Sequence, residues 1–404
     1  MKIFNDPIYG FISTRYSILL KLIDHPYFQR LSRIKQLGLT YLVYPGAHHT
    51  RFHHAMGAMH LMQEAVNSIR DKGNEITEEE EIGVLIAILL HDIGHGPFSH
   101  TLEHSIVNGV SHEDISSILM EKLNQEFKGE LTTGIQIFNN TYRKKFLHQL
   151  VSSQLDMDRL DYLKRDSFYS GVSEGVVSSD RIINMLNVYN DELVVEQKGI
   201  YSIEKFIVAR RLMYWQVYLH KTVIAAESVL VEVLKRAKYL AKQGEELFAS
   251  PAFKKFLYTD YYKEDFLHED ILKAFTQLDD SDILTSIKVW CGHEDKTLKT
   301  LSQSLINRKL PKISLSKTPF NKEYINQKID EVSHVYELSK EEAKHFVLTG
   351  SIKNNAYNIL EDSIKIAFKN GEIKDISEAS DNFNIQSLTV PVEKHYLCFP
   401  KIIL

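Results

Sequence analysis

The chain has 404 residues, 44% of them hydrophobic and 25% charged, with 18 glycines and only 9 prolines. This is the make-up of an ordinary soluble globular protein, and it excludes collagen-like, low-complexity and disordered classes. With 48 basic against 53 acidic residues the formal net charge is −5, so no global positive field recruits nucleic acid or an anionic membrane, and nucleic acid is not expected as the main partner. Two cysteines, Cys291 and Cys398, cannot build a disulfide framework and show no C-x-x-C spacing, which suits a reducing compartment. The opening MKIFNDPIYGFIS lacks the basic stretch and long apolar run of a signal peptide, and the most apolar later stretch, Ile82 to Leu90, is half a membrane span. A cytoplasmic protein without membrane attachment is expected. Histidine is the outlier: the chain has 18, roughly twice ordinary usage, many of them between His48 and His112.

From Ser17 to about Leu240 the apolar residues recur mostly at helical spacing, as in LLKLIDHPYFQRLSRIKQLG and SVLVEVLKRAKYLAK, so a mainly α body is expected. Gly38 is expected to close the first of these helices. Thr77 with Glu80 forms a capping box opening EEEEIGVLIAILL, a helix that runs straight into His91. The segment DELVVEQKGIYSI reads as a small β-hairpin joined at Lys198-Gly199. The pattern loosens between about Phe248 and Asp270. From Ser351 onward IKIAF and EIKDI flank Lys369-Asn370-Gly371 as a second hairpin, with HYLCF as a third strand. The predicted organisation is a helical body over residues 1–270 and a smaller α+β region over 271–404, packed on it and taking part in oligomer contacts.

The strongest local signal is Ile88-Leu89-Leu90-His91-Asp92-Ile93-Gly94-His95-Gly96-Pro97-Phe98-Ser99-His100. An apolar helix delivers an imidazole and a carboxylate side by side, and Gly94, Gly96 and Pro97 then break the helix and let the backbone approach a neighbour. A buried His-Asp pair satisfied by hydrogen bonds would explain one such dipeptide. Its surroundings favour a metal site. Thr50-Arg51-Phe52-His53-His54 places another histidine at the start of a helical stretch, and Gln154-Leu155-Asp156-Met157-Asp158-Arg159-Leu160-Asp161 packs three carboxylates into six positions. Two imidazoles and two carboxylates in the order His, His-Asp, Asp hold Mn, Fe, Mg, Zn or Co while leaving positions open for water and a phosphate oxygen.

These motifs resemble the H…HD…D signature of the HD superfamily of metal-dependent phosphohydrolases. A longer set resembles one branch, the deoxynucleoside triphosphate (dNTP) triphosphohydrolases: Asn5-Asp6-Pro7-Ile8-Tyr9-Gly10, Phe28-Gln29-Arg30-Leu31, Ile34-Lys35-Gln36-Leu37-Gly38, Tyr44-Pro45-Gly46-Ala47, Arg51-Phe52-His53-His54, HDIGHGPFSH from His91, and Asp156 to Asp166. The resemblance covers residues 2 to about 270 and implies an HD-domain helical core. It puts His54, His91, Asp92 and Asp158 on the metal ligands, with Asp156 and Asp161 in supporting places. His95, His100 and His112 fall on histidines that line the triphosphate, and His100 with Glu103 on a proton-donating dyad, His100 being the first choice for protonating the leaving 5′-oxygen. Arg51, Arg159 and Arg210 match phosphate contacts, and Gln36 and Leu37 match residues that meet sugar and base. Tyr162 and Asp166 match groups that stack on the deoxyribose and bind its 3′-hydroxyl, and Tyr218 matches the tyrosine that leaves no room for a 2′-hydroxyl. The implied reaction is hydrolysis of a dNTP, dGTP included, to deoxynucleoside and inorganic triphosphate.

Relatives also use the N-terminal segment to build an activator pocket between subunits. Lys2, Ile3, Asn5 and Asp24 fall on that pocket, but the arginine that completes its guanine site is replaced by Ser32, with Arg33 beside it. A homotetramer activated by a deoxynucleotide is therefore expected. Two rival readings keep the same core: an HD nucleotidase or phosphodiesterase on another nucleotide, and a non-catalytic nucleotide-sensing module.

Overall fold

The computed structural model describes residues 2–98, 109–359, 363–382, 385 and 387–401. The N-terminal strands Lys2–Asp6 and Gly10–Thr14 pair antiparallel, with Lys2 opposite Thr14 and Asp6 opposite Gly10. Helices then dominate as expected, but the first helical run is broken. Helix Ser17–Asp24 ends where His25 takes an extended conformation (φ −69°, ψ 139°) before Pro26, as the residue preceding proline must. A short helix Pro26–Gln29 and a 3₁₀ turn Arg30–Arg33 follow. Gly38 does not close a helix: with φ +49° it opens the separate turn Gly38–Leu42.

The centre of the molecule is helix Glu78–Leu90, capped by Thr77 and Glu80 as the sequence predicts. Val84, Ile86, Ala87, Ile88, Leu89 and Leu90 have no exposed surface, so this helix is apolar on every side. Helices Arg51–Asp71 and Thr132–Phe138 pack against it, and helix Met157–Ser170 packs against Arg51–Asp71. Truncating a core leucine here to alanine costs about 2–5 kcal/mol. That rigidity matters because His91, His54 and Asp158 sit at the ends of these three helices.

Two strand assignments differ from expectation. The first hairpin pairs Leu186–Tyr189 with Glu192–Glu196 and turns at Asn190 (φ 50°) and Asp191 (φ 62°), the left-handed pair that a two-residue turn demands. Lys198-Gly199 lies instead in a 3₁₀ turn leading into helix Ile200–Met213. The second hairpin, Lys365–Ala367 with Ile373–Asp375, forms as expected and joins the first through parallel pairing of Val194 with Lys365. HYLCF does not extend it. Strand Val392–Phe399 is the middle of another sheet, between Lys312–Ser316 and Leu348–Asn354, because alternation marks a strand without naming its partner. Among the described residues no helix is long and apolar enough to cross a membrane.

Candidate active site

Three helix ends converge. Thr50 caps helix Arg51–Asp71, and its N–H donates to His53 Nδ1 (3.2 Å), which leaves His54 to face inward. His91 terminates helix Glu78–Leu90, and Asp156 caps helix Met157–Ser170, putting Asp158 in its first turn. His54 Nε2 lies 3.0 Å from Asp158 Oδ1 and 3.3 Å from His91 Nε2, and His91 Nε2 lies 3.5 Å from Asp158 Oδ1. These three atoms could hold one metal ion.

The opposite edges of both rings are committed. His91 Nδ1–H donates to the Ile88 carbonyl (2.6 Å) and His54 Nδ1–H to Asp161 Oδ2 (2.8 Å), which turns both Nε2 atoms toward Asp158. Burial disfavours charge on His54, but hydrogen bonds to Asp158 and Asp161 overcome it and push its pKa up to about 10. His91 is raised against burial by Asp92 and Asp158. Burial also disfavours charge on Asp158, yet His54 and His91 hold it well below the usual carboxylate range. The group favours a positive charge between its members, the demand that a divalent cation meets, and its N/O donor set fits such a cation.

Asp92 stands beside this trio. Its Oδ1 lies 3.4 Å from His91 Nε2 and 3.2 Å from His95 Nε2, while Oδ2 accepts from Arg51 Nη1 and lies 3.9 Å from His54 Nε2. With His95 and His112 it forms a second group of metal-binding geometry, in which the two imidazoles stack at 3.8 Å and 17°. Burial, then the Arg51 charge, keeps His95 well below its ordinary pKa. The glycine-rich turn does what the sequence suggested. A side chain on Gly94 would run into the backbone of His112 and Ser116; instead the Gly94 N–H donates to Ser116 Oγ, whose hydroxyl donates to the His91 carbonyl, both at 2.9 Å.

A cleft of about 670 Å³ opens from these groups, with His91, Asp92 and Asp158 on its wall together with Tyr162, Asp166 and Tyr218. Tyr218 belongs to a π-helical turn, Tyr214–Tyr218, a backbone device common at functional sites. Its ring centroid is 6.1 Å from that of Tyr162, and its hydroxyl donates to Asp166 Oδ2 (2.8 Å). His49 Nε2 meets the other Asp166 oxygen at 2.7 Å.

Residues 51–166 match the HD domain family model and residues 177–247 match the HD associated region. A solved phosphohydrolase from Bacteroides thetaiotaomicron is 55% identical and superposes with a TM-score of 0.96 over 99% of this chain and 100% of that one. The chain belongs to the HD-domain phosphohydrolases. The protein YwfO of Bacillus subtilis is 31% identical over 94% of this chain and 88% of its own length. The dNTP triphosphohydrolase SAMHD1 homolog of Dictyostelium discoideum is 31% identical over 61% of this chain, and SAMHD1 of Danio rerio is 29% identical over 60%. The chain spans about half the length of these two enzymes.

Within the HD domain and its surroundings the other expected residues fall as follows. Gln36, Leu37, Arg51, His95, His112 and Arg159 line the cleft, and Gln36 Oε1 is buried there without a hydrogen-bond partner among the described residues. Arg159 pairs through Nη1 with the capping carboxylate Asp156, whose pKa burial pushes up to about 6. Arg210 is not on the cleft wall; its guanidinium lies 6.0 Å from the Tyr214 ring centroid. His100 and Glu103 lie outside the described residues. At the N-terminus Lys2 Nζ pairs with Asp24 Oδ1 at 2.8 Å on the surface, Ile3 is exposed and Asn5 lies in the first strand. Arg33 does not join them, because its Nε donates to Asp279 Oδ2 (2.5 Å).

Two supporting residues escaped the sequence reading. His49, which holds Asp166, sat in the counted histidine cluster without being singled out. Arg165, fully buried, joins Asp161 to Asp6 of the first strand; its spacing of four from Asp161 was the available signal.

Proposed function

We propose that this HD-domain phosphohydrolase is a dNTP triphosphohydrolase, cleaving a dNTP with water to deoxynucleoside and inorganic triphosphate. The observation that carries the reading is the shared cleft: His91 and Asp158, which His54 backs from the buried side, face the same space of about 670 Å³ as Tyr162, Asp166 and Tyr218, a volume in the range of small-molecule sites. The relatives named as dNTP triphosphohydrolases support the substrate class.

His54, His91 and Asp158, with Asp92 alongside, would hold the metal. A bound divalent ion polarises a phosphoryl oxygen and lowers the pKa of water. The chain's own residues do the rest. Arg51 and Arg159 meet triphosphate oxygens with guanidinium forks, Arg210 adds charge behind Tyr214, and His95 and His112 line the phosphates. His100, with Glu103 as its partner in the dyad, gives its proton to the departing 5′-oxygen as the P–O5′ bond breaks, while the α-phosphorus takes the water oxygen and the proton that the water loses passes to solvent. Tyr162 stacks on the deoxyribose, and Gln36 and Leu37 meet the sugar and base. Asp166 accepts the 3′-hydroxyl. Tyr218, fixed to Asp166, fills the space that a 2′-hydroxyl needs. We propose further that the protein works as a homotetramer in the cytoplasm, with a deoxynucleotide activator bound near Lys2, Ile3, Asn5 and Asp24.

Incubating the protein with each dNTP and Mn or Mg, and separating the products, tests the reading. Equal amounts of deoxynucleoside and inorganic triphosphate are expected. Orthophosphate or pyrophosphate in their place would move the protein to the nucleotidase or phosphodiesterase reading.

A further inference from the structure

We propose that Asp280 is a positioning residue for the cleft, one buried carboxylate from outside the HD-matching segments that holds two of the cleft's walls in register. This deepens the function proposed above and rests on it. Asp280 is 2% exposed and opens helix Asp280–Trp290. Its Oδ1 accepts the Phe98 N–H at 2.9 Å, and its Oδ2 accepts the Lys35 N–H at 3.0 Å.

Both of these donors are backbone groups at the edge of the site, and the Lys35 ammonium adds a third tie, its Nζ lying 3.6 Å from Asp280 Oδ2. Phe98 lines the cleft at the end of the turn that carries His95, and it sits at φ +54°, a left-handed conformation that a phenylalanine adopts only under external constraint. Lys35 immediately precedes Gln36 and Leu37, and bridges to Thr50, the cap of the helix that carries His54. The neighbours of Asp280 grip the same two segments. The fully buried Arg30 donates to the Leu278 carbonyl (3.2 Å) and to the Ile93 carbonyl (2.9 Å), and Asp279 holds Arg33.

A carboxylate is the group this geometry needs. It presents two acceptors to two N–H donors, whereas an amide presents one acceptor and turns an NH₂ toward the second donor. Asp280→Asn therefore keeps the volume and loses one tie. Small displacements of positioned groups cost rate steeply, up to about 10²-fold per ångström.

The test compares the full-length parent with Asp280→Asn and with Asp295→Asn. Asp295 is a control of similar chemistry: it caps helix Lys296–Ile306, accepts the Leu298 N–H (2.7 Å), pairs with Arg236 and does not line the cleft. Each protein is loaded with Mn, and bound metal, kcat and KM for each dNTP, and amide hydrogen exchange are measured. Asp280→Asn is expected to bind the parent's amount of Mn, to exchange faster at Lys35 and Phe98, and to lose about 10- to 100-fold in kcat/KM through both a higher KM and a lower kcat. Asp295→Asn is expected to lose thermal stability while keeping kcat and KM per bound metal. If Asp280→Asn does not fold, Asp280→Ser, which keeps one acceptor, is measured the same way. Variant constants within twofold of the parent, or an equal loss in Asp295→Asn, overturn the proposal while leaving the proposed function intact. A parent that releases no triphosphate from any dNTP overturns that function first, and the positioning role with it.

Discussion

His54 Nδ1 lies 2.8 Å from Asp161 Oδ2, on the ring edge opposite the Nε2 that faces Asp158 and His91. The same Asp161 carboxylate receives Arg165 Nε at 2.9 Å and Nη2 at 3.0 Å, and its pKa is held down to about 2 despite burial, by Arg165 and His54. It stays ionised, so His54 keeps its proton on Nδ1. Asp161→Asn should weaken metal binding by about 10- to 100-fold, the usual effect of losing such a supporting carboxylate. Chelator competition measures it, and an unchanged affinity would refute the orienting role.

Removing a proposed metal ligand is a harsher change. His91→Ala and Asp158→Ala should each leave protein that folds but retains little metal after dialysis and shows no measurable turnover. Elemental analysis beside the activity assay checks both halves. Full metal content with full activity in either variant contradicts the assignment.

Sugar selectivity should follow Tyr218. Tyr218→Ala removes the ring whose hydroxyl bonds Asp166 and, with the sugar placed as proposed, should open space next to C2′. The ratio of kcat/KM for dGTP over GTP should fall by at least about tenfold, with most of the change in the GTP term. A parent enzyme that already hydrolyses GTP well would be inconsistent with a steric gate.

Acid stability should depend on Glu80. It is fully buried and accepts from Lys144 Nζ (2.7 Å), the Thr77 N–H (2.9 Å) and Tyr142 Oη (3.0 Å). Burial opposes its charge, but these partners prevail and hold its pKa below the ordinary 4.5. A depressed folded pKa gives stability that is complete above the unfolded pKa and fades as pH falls through the folded one. Glu80→Gln should therefore cost about 1–3 kcal/mol at pH 7, with the gap to the parent narrowing below about pH 4.5. Urea unfolding at both pH values shows whether the gap closes.

How much of this was legible in the sequence depended on how local each cause is. The Thr77–Glu80 capping box and the all-apolar stretch ending at His91 were readable because their partners lie within a helical turn or two. Apolar periodicity runs on across His25-Pro26, where the proline breaks the helix, and the glycine read as a helix stop, Gly38, instead opens a separate turn at φ +49° because a left-handed glycine serves either end. Strand Val392–Phe399 was recognisable as a strand, but its partners begin at Lys312 and Leu348, and alternation says nothing about that choice. In the site, His54, His91 and Asp158 were found through their order in the chain, and the structure brings them within 3.5 Å of one another. Asp280 could not have been found this way. The N–H groups it accepts from lie 182 and 245 positions away, and the charged side chain that pairs with it, Lys35, is equally distant in the chain.

The central claim is that water attacks the α-phosphorus of a dNTP held across the HD cleft. Turnover of dGTP in ¹⁸O-labelled water with bound Mn, followed by mass spectrometry of both products, tests it most directly. The account predicts one labelled oxygen in the inorganic triphosphate and none in the deoxyguanosine. Label in the 5′-hydroxyl of deoxyguanosine, or in orthophosphate released from the γ-position, would contradict it.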